Sequence, residues 1–238
     1  MIEVTNLSKQ FPSVLAVDDI SFTTNRGEVF GLLGPNGAGK TTTLRMILSI
    51  LTPTSGQILV DGIDVCRNPL AARGRIGCVL EDNGVYERLT AEENVAFFGE
   101  LFGLSRDVIR ERTARLFEAL DMKDFARRRA STFSKGMKQK TAIARALIAD
   151  PPVLVMDEPT AGLDVPTQRM IQDLLKGYKR EGRTILYSTH IMSEAEELCD
   201  RVAILDHGRI RGIGTLAELK ARTQQANLEE VFMQLVRE

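Results

Sequence analysis

Along the first third of the chain, apolar residues gather into short β-type runs separated by turns. Ile2–Leu7 and Ala16–Phe22 read as strands, Glu28–Leu33 is a compact apolar run ending at Gly34, and Gly56–Val60 and Arg75–Leu80 are further strand candidates. Between them Leu44, Ile47, Leu48 and Leu51 share one helical face, which predicts a helix over Lys40–Ile50.

The period changes in the middle third. Thr90-Ala-Glu-Glu93 is a capping-box pattern that opens a helix to about Phe102. Ile109, Thr113, Leu116, Phe117 and Leu120 mark an amphipathic helix over Arg106–Leu120, and Ser134 heads a third helix to about Ala149. Helices with no strand between them predict a helical subdomain inserted into a core of another kind. After Pro151-Pro152 the alternation resumes, with strand Val153–Met156, helix Val165–Tyr178, strand Thr184–Ser188, helix Ser193–Cys199 and strands Arg201–Leu205 and Arg209–Ile213. Two short helices near Leu216–Arg222 and Leu228–Val236 follow. Strands alternating with helices argue for an α/β fold on a largely parallel sheet.

Two stretches carry chemistry. Gly34-Pro35-Asn36-Gly37-Ala38-Gly39-Lys40-Thr41 is a phosphate loop, followed by Thr42, in the context the motif requires: after an apolar strand and before a helix. Consecutive backbone N–H groups in such a loop converge on phosphate oxygens, and the helix directs its positive end at them. Glycine permits the close backbone approach. Lys40 brings a positive charge to the outer phosphates, and the Thr41 hydroxyl can ligate Mg²⁺. The second stretch, Val153-Leu-Val-Met-Asp-Glu158, is an apolar strand ending in two carboxylates. Asp157 is placed to hold the Mg²⁺ shell, and Glu158 to orient and activate the attacking water. ATP and Mg²⁺ are therefore the expected ligands.

Composition narrows the setting. The chain has 238 residues, 43 % hydrophobic and 26 % charged, enough for one large domain or two small ones. A formal net charge of −1 gives no reason to expect nucleic acid as a main partner. Cys66, Cys78 and Cys199 are widely spaced, without zinc-site spacing, and fit a reducing cytosol. No leader is visible at the N-terminus, and no apolar run is long enough to cross a bilayer, so a link to a membrane is expected to come through a partner.

The residues between the two sites narrow the class. Phe133-Ser-Lys-Gly-Met-Lys-Gln139 resembles the signature motif of ABC-type ATPases, usually Leu-Ser-Gly-Gly-Gln, and Pro159-Thr-Ala-Gly-Leu-Asp164 is similar to their D-loop. His190 falls where these ATPases carry a switch histidine, and Phe11 resembles the aromatic that stacks on adenine. The resemblance spans essentially the whole chain. It implies a P-loop NTPase core over residues 1–85 and 151–213, mostly parallel with an N-terminal antiparallel β part. It further implies a helical signature subdomain over 86–150 and a C-terminal helical extension over 214–238. It also implies a head-to-tail homodimer in which Ser134, Lys135, Gly136 and Met137 meet the partner's ATP and His190 senses the γ-phosphate. Taken alone, Ser134 also fits an N-cap, Phe11 a core aromatic and His190 a structural histidine.

Lys135 and Met137 depart from the usual signature, while Ser134 and Gly136 keep it. Glu81 stands where the family has a glutamine that touches Mg²⁺ and couples to the membrane subunit. A carboxylate there is a further candidate metal ligand that adds negative charge near Asp157 and Glu158. Gly214-Thr-Leu-Ala-Glu-Leu219 and Asn227-Leu-Glu-Glu-Val-Phe232 look like the exporter branch with a separate permease. The implied function is an ATP-hydrolysing transporter motor at the cytoplasmic face of the cell membrane, held there by its permease. The alternatives are a soluble ABC-type ATPase acting on ribosomes or DNA, and a P-loop binding module or nucleoside kinase. Soluble members usually carry two ATPase halves, a long coiled-coil insertion or zinc sites, and a kinase leaves the signature and His190 without a role.

Overall fold

The computed structural model describes residues 1–82 and 84–237. It begins with β1 (Ile2–Phe11) and β2 (Val14–Thr23), an antiparallel pair, and continues through β3 (Val29–Leu33) and α1 (Lys40–Ile47) to β4 (Ser55–Val60) and β5 (Ile63–Asp64). A short α2 (Pro69–Arg73) leads to β6 (Ile76–Val79). The helical insertion follows as α3 (Ala91–Leu101), α4 (Arg106–Ala119) and α5 (Lys135–Leu147). The chain then runs through β7 (Val153–Asp157), α6 (Val165–Arg180), β8 (Thr184–Thr189), α7 (Met192–Leu198), β9 (Arg201–Asp206) and β10 (Arg209–Thr215) to α8 (Leu216–Thr223) and α9 (Leu228–Arg237).

Among the described residues the strands form two sheets. The smaller is antiparallel, in the order β2-β1-β4-β5. The larger runs β10-β9-β3-β8-β7-β6 and is parallel except for the β9–β10 hairpin. Strands β3, β7 and β8 are buried at every position, as strands covered on both faces must be. Their alternating side chains feed two cores. Val29 and Leu33 join a cluster with the helical insertion, α6, α7 and the C-terminal helices. Phe30 and Leu32 join another with β1, β2, β4 and α1.

The α/β class and the order of long elements match the pattern reading. Boundaries differ for local reasons. β1 runs on past Leu7 to Phe11 because Phe11 pairs with Val14 around a tight turn. α1 stops at Ile47 rather than Ile50, and Ser49 takes a left-handed φ of 52° that cannot continue a helix. β5 and α2 are too short to show a period.

The capping box at α3 is formed as read. Thr90 Oγ1 accepts from the Glu93 N–H at 3.1 Å, and the Glu93 carboxylate accepts from the Thr90 N–H at 2.8 Å. That second bond holds the Glu93 carboxyl below its ordinary pKa. A depressed acid binds fewer protons folded than unfolded, so its contribution is complete at neutral pH and fades as pH falls through the carboxylate range. Thr90→Ala is expected to lower the unfolding free energy by about 1 kcal/mol in urea titration at pH 7. Glu93→Ala in the same titration removes the carboxylate's own bond, and its difference from wild type should shrink as pH falls through the carboxylate range.

Candidate functional site

Strands β3, β7 and β8 lie side by side in parallel, so their C-terminal ends open on one edge, where α/β sheets place ligands. The phosphate loop leaves β3 there. Gly39 has φ 103°, and a Cβ on it would meet the Ala16 carbonyl at 2.5 Å. A Cβ on Gly34 would run into the Leu205 carbonyl. Glycine is therefore a steric necessity at both positions. The β9–β10 turn braces the loop from outside, with the Gly208 N–H donating to Ala38 O at 3.1 Å.

Lys40 is buried and folds back over the loop. Its Nζ donates to Gly34 O at 2.7 Å and Pro35 O at 3.2 Å and lies 3.5 Å from Glu158 Oε1. Glu158 Oε2 lies 3.0 Å from His190 Nδ1. Glu158 thus bridges the loop lysine and the histidine. It does so from a left-handed backbone, φ 47°, pinned by its N–H donating to Ser188 O at 3.0 Å. A non-glycine residue at positive φ persists only when its surroundings over-determine it.

Asp157, 1 % exposed, accepts hydrogen bonds from Thr41 Oγ1 at 2.8 Å and from the Ser188 hydroxyl. A hydroxyl and a carboxylate in contact beside a phosphate loop are hard oxygen donors of the kind Mg²⁺ prefers. Among the described residues no three His, Cys, Asp or Glu side chains form an all-protein metal cluster.

A cavity of about 680 Å³ joins these parts. Phe11, Pro35, Asn36, Gly37, Gly39, Lys40, Thr41, Thr42, Glu81 and Glu158 all line it. Phe11 stands at its mouth rather than in either core, with the Lys9 ammonium 5.2 Å from its ring centre. Asp157 reaches the site through Thr41 and His190 through Glu158, while Gly34 and Ala38 belong to the loop without lining the cavity. The signature residues do not line this cavity. Ser134, Lys135, Gly136 and Met137 line a separate recess of about 290 Å³ with Gly162, Leu163, Asp164 and Thr167. Ser134 caps α5 by accepting from the Met137 N–H at 3.3 Å. Asp164 caps α6, and the Thr167 N–H and hydroxyl hold its carboxyl below the usual range.

Pattern reading missed several participants. Ser188, which fixes Asp157, lies on the next strand at the paired position, so only the strand register reveals it. His207, 88 % exposed, lines the cavity mouth with Val14, Leu15, Ala16 and Gly208. Its only sequence signal is the tight turn Asp206-His207-Gly208 between two β-type runs.

A phosphate loop after one parallel strand, with paired acids after a near neighbour, defines a P-loop NTPase. A family model described as "ABC transporter" matches residues 17–161. The ABC transporter ATP-binding protein NatA of Bacillus subtilis (strain 168) is 45 % identical over 238 residues, covering 98 % of this chain and 97 % of NatA. The Nod factor export ATP-binding protein I of Paraburkholderia xenovorans (strain LB400) is 41 % identical, covering 97 % of this chain and 76 % of that protein. The dimeric post-hydrolysis state of the ATP-binding cassette MJ0796 bound to ADP and Pi superposes with TM-score 0.83 at 27 % identity, covering 91 % of this chain and 99 % of that one. The chain belongs to the ABC transporter ATP-binding family.

Lys40 is the one lysine lining the described cavity, so it is the residue on which a phosphate site can be tested. Lys40→Ala is expected to reduce ATP turnover by about a hundredfold or more, measured as phosphate release. Turnover near wild type would remove the loop from the active site.

Proposed function

We propose that this chain is the ATP-hydrolysing motor of an exporter, working as a head-to-tail homodimer on a separate membrane permease at the cytoplasmic face. The observation that carries this reading is the separation of the two half-sites. The loop cavity holds the groups for phosphate, metal and water, while the signature lies in another recess of the same chain. The first turn of α5 contains no acid and includes Lys135, leaving its positive end suited to an anion supplied by a second copy. The relatives support the same reading: one cassette is dimeric with ADP and phosphate, and another relative serves Nod factor export.

In this reading the core comprises residues 1–85 and 151–213, the signature subdomain 86–150 and the C-terminal extension 214–238, whose last residue lies outside those described. Glu158 orients the attacking water and accepts its proton as the new oxygen–phosphorus bond forms and the bond to the β-phosphate oxygen breaks, releasing ADP and phosphate. Thr41 and Asp157, with Glu81 at the cavity wall, would hold Mg²⁺, which supplies neutralisation of the phosphate charge. His190 registers the γ-phosphate, a role its 3.0 Å approach to Glu158 supports. Phe11 takes the adenine face.

The permease side of the reading rests on an exposed aromatic patch. Tyr86, Phe97, Leu101 and Phe102 are all more than a third exposed. Tyr86 and Phe97 meet edge to face at 5.4 Å, and Phe98 beneath them stacks under Arg145 of α5 at 4.5 Å. Arg145 Nη1 also donates to Gly84 O at 2.6 Å, close to Glu81. One arginine therefore links the patch, the signature helix and the Glu81 segment. Among the described residues no helix is long and apolar enough to cross a membrane, so a separate spanning partner fits.

Glu158→Gln with ATP is expected to double the apparent mass in gel filtration and to recover a membrane protein from solubilised membranes. Recovery of ribosomes or DNA without a membrane protein would favour a soluble ABC ATPase instead. Glu81→Gln is expected to make turnover several-fold less sensitive to lowered Mg²⁺, because one carboxylate fewer then faces the phosphates. An unchanged Mg²⁺ titration together with an unchanged permease-stimulated rate would exclude a role for Glu81.

A further inference from the structure

Behind Glu158 and His190, four buried oxygen-bearing side chains meet. Thr160 lies in the turn two residues past Glu158. Tyr187 and Thr189 lie on β8, Thr189 immediately before His190, and Glu194 lies on α7. Each is less than a tenth exposed. Thr160 Oγ1 donates to Glu194 Oε1 at 2.8 Å, while Tyr187 Oη and Thr189 Oγ1 each donate to Oε2 at 3.1 Å. Thr160 and Tyr187 also touch each other at 2.9 Å. Thr189 Oγ1 accepts in turn from the Ile191 N–H at 3.0 Å, so this one hydroxyl holds the backbone on both sides of His190.

A buried carboxylate without a cation is a costly way to fill space, and apolar side chains of similar volume would pack a core at least as well. Among the described residues no ion pair reaches Glu194. What such a network does supply is geometry, because each member loses its partners if any segment shifts. The segments it ties are the turn that follows Glu158 and the strand end that precedes His190.

We propose that Glu194 is a positioning residue for hydrolysis. Through Thr160 it fixes the turn that holds Glu158 at positive φ, and through Thr189 it fixes His190, so that the two side chains keep their 3.0 Å approach. Glu194 touches no substrate itself. The inference rests on the reading of Glu158 and His190 as the hydrolytic pair.

The test compares Thr160→Val, Thr160→Ser and Glu194→Gln with Glu158→Gln in the full chain. Three quantities are read: ATP turnover, ATP affinity and the imidazole resonances of the two histidines, His190 and the exposed His207. Thr160→Val and Glu194→Gln are expected to lower turnover at least tenfold with ATP affinity within twofold. His190 signals should move while those of His207 stay, and Thr160→Ser should restore turnover. Wild-type turnover in Thr160→Val and Glu194→Gln, with turnover lost in Glu158→Gln, would overturn the role of the network alone. A fall in turnover matched by an equal loss of ATP affinity and a lowered melting temperature would assign it to general stability and also overturn it. Persistent turnover in Glu158→Gln would instead overturn the hydrolytic reading beneath it.

Discussion

The site depends on one steric constraint: the phosphate loop passes between backbone segments that leave no room for a side chain at Gly34 or Gly39. The Leu205 carbonyl closes on Gly34 and the Ala16 carbonyl on Gly39. Those two carbonyls belong to different layers, one at the end of β9 and the other in β2. The loop is therefore the place where the antiparallel sheet and the parallel sheet are locked together. The hairpin after β9 completes the lock, with the Asp18 N–H donating to Gly208 O at 2.8 Å and the Gly208 N–H to Ala38 O at 3.1 Å. A loop held this tightly has its backbone dipoles oriented before any ligand arrives, which is what electrostatic preorganisation requires.

Strand register carries that fixed point to the acids. Leu33 pairs with Thr189, and Asp157 pairs with Ser188. Side chains alternate between faces, so a slip of one residue in β7 would turn Asp157 away from Thr41 and Ser188. The continuous burial of β7 and β8 makes the ends, rather than the faces, the only places for polar chemistry. Glu158 is the exception that follows: one residue past the strand, it leaves regular geometry at φ 47° and can reach both Lys40 and His190.

Legibility in the sequence followed contiguity. The phosphate loop and the Val153–Glu158 run were readable because each packs its information into consecutive residues. Four of the five buried positions of β7, Val153–Met156, are the same apolar run that the sequence displays. Helix α3 was readable because its cap is local. The hydroxyl ties were not, because Ser188 and Asp157 stand 31 residues apart, Thr160 and Glu194 34 apart, and serine or threonine at a strand end is common for many reasons. The run of β1 beyond Leu7 was obscured by bulges between Leu7 and Gln10, which break the alternation that a period search needs.

Charge gives a physical reason for dividing the proposed site between two copies. A single chain sets Lys40 against Glu81, Glu158 and the nearby Asp157, so a polyphosphate entering its cavity is attracted by the loop's dipoles and repelled by three carboxylates. Mg²⁺ offsets part of that repulsion. The remaining compensation is available at the first turn of α5, where Lys135 stands and no acid does, whereas the first turns of α3 and α8 carry glutamate. Because that positive end opens on another recess, one chain cannot bring it to its own phosphates. In the proposed head-to-tail dimer two copies can, and the attraction is strongest while the γ-phosphate is in place. On that proposal closure is coupled to the γ-phosphate and opening to its loss, which is the property a motor needs.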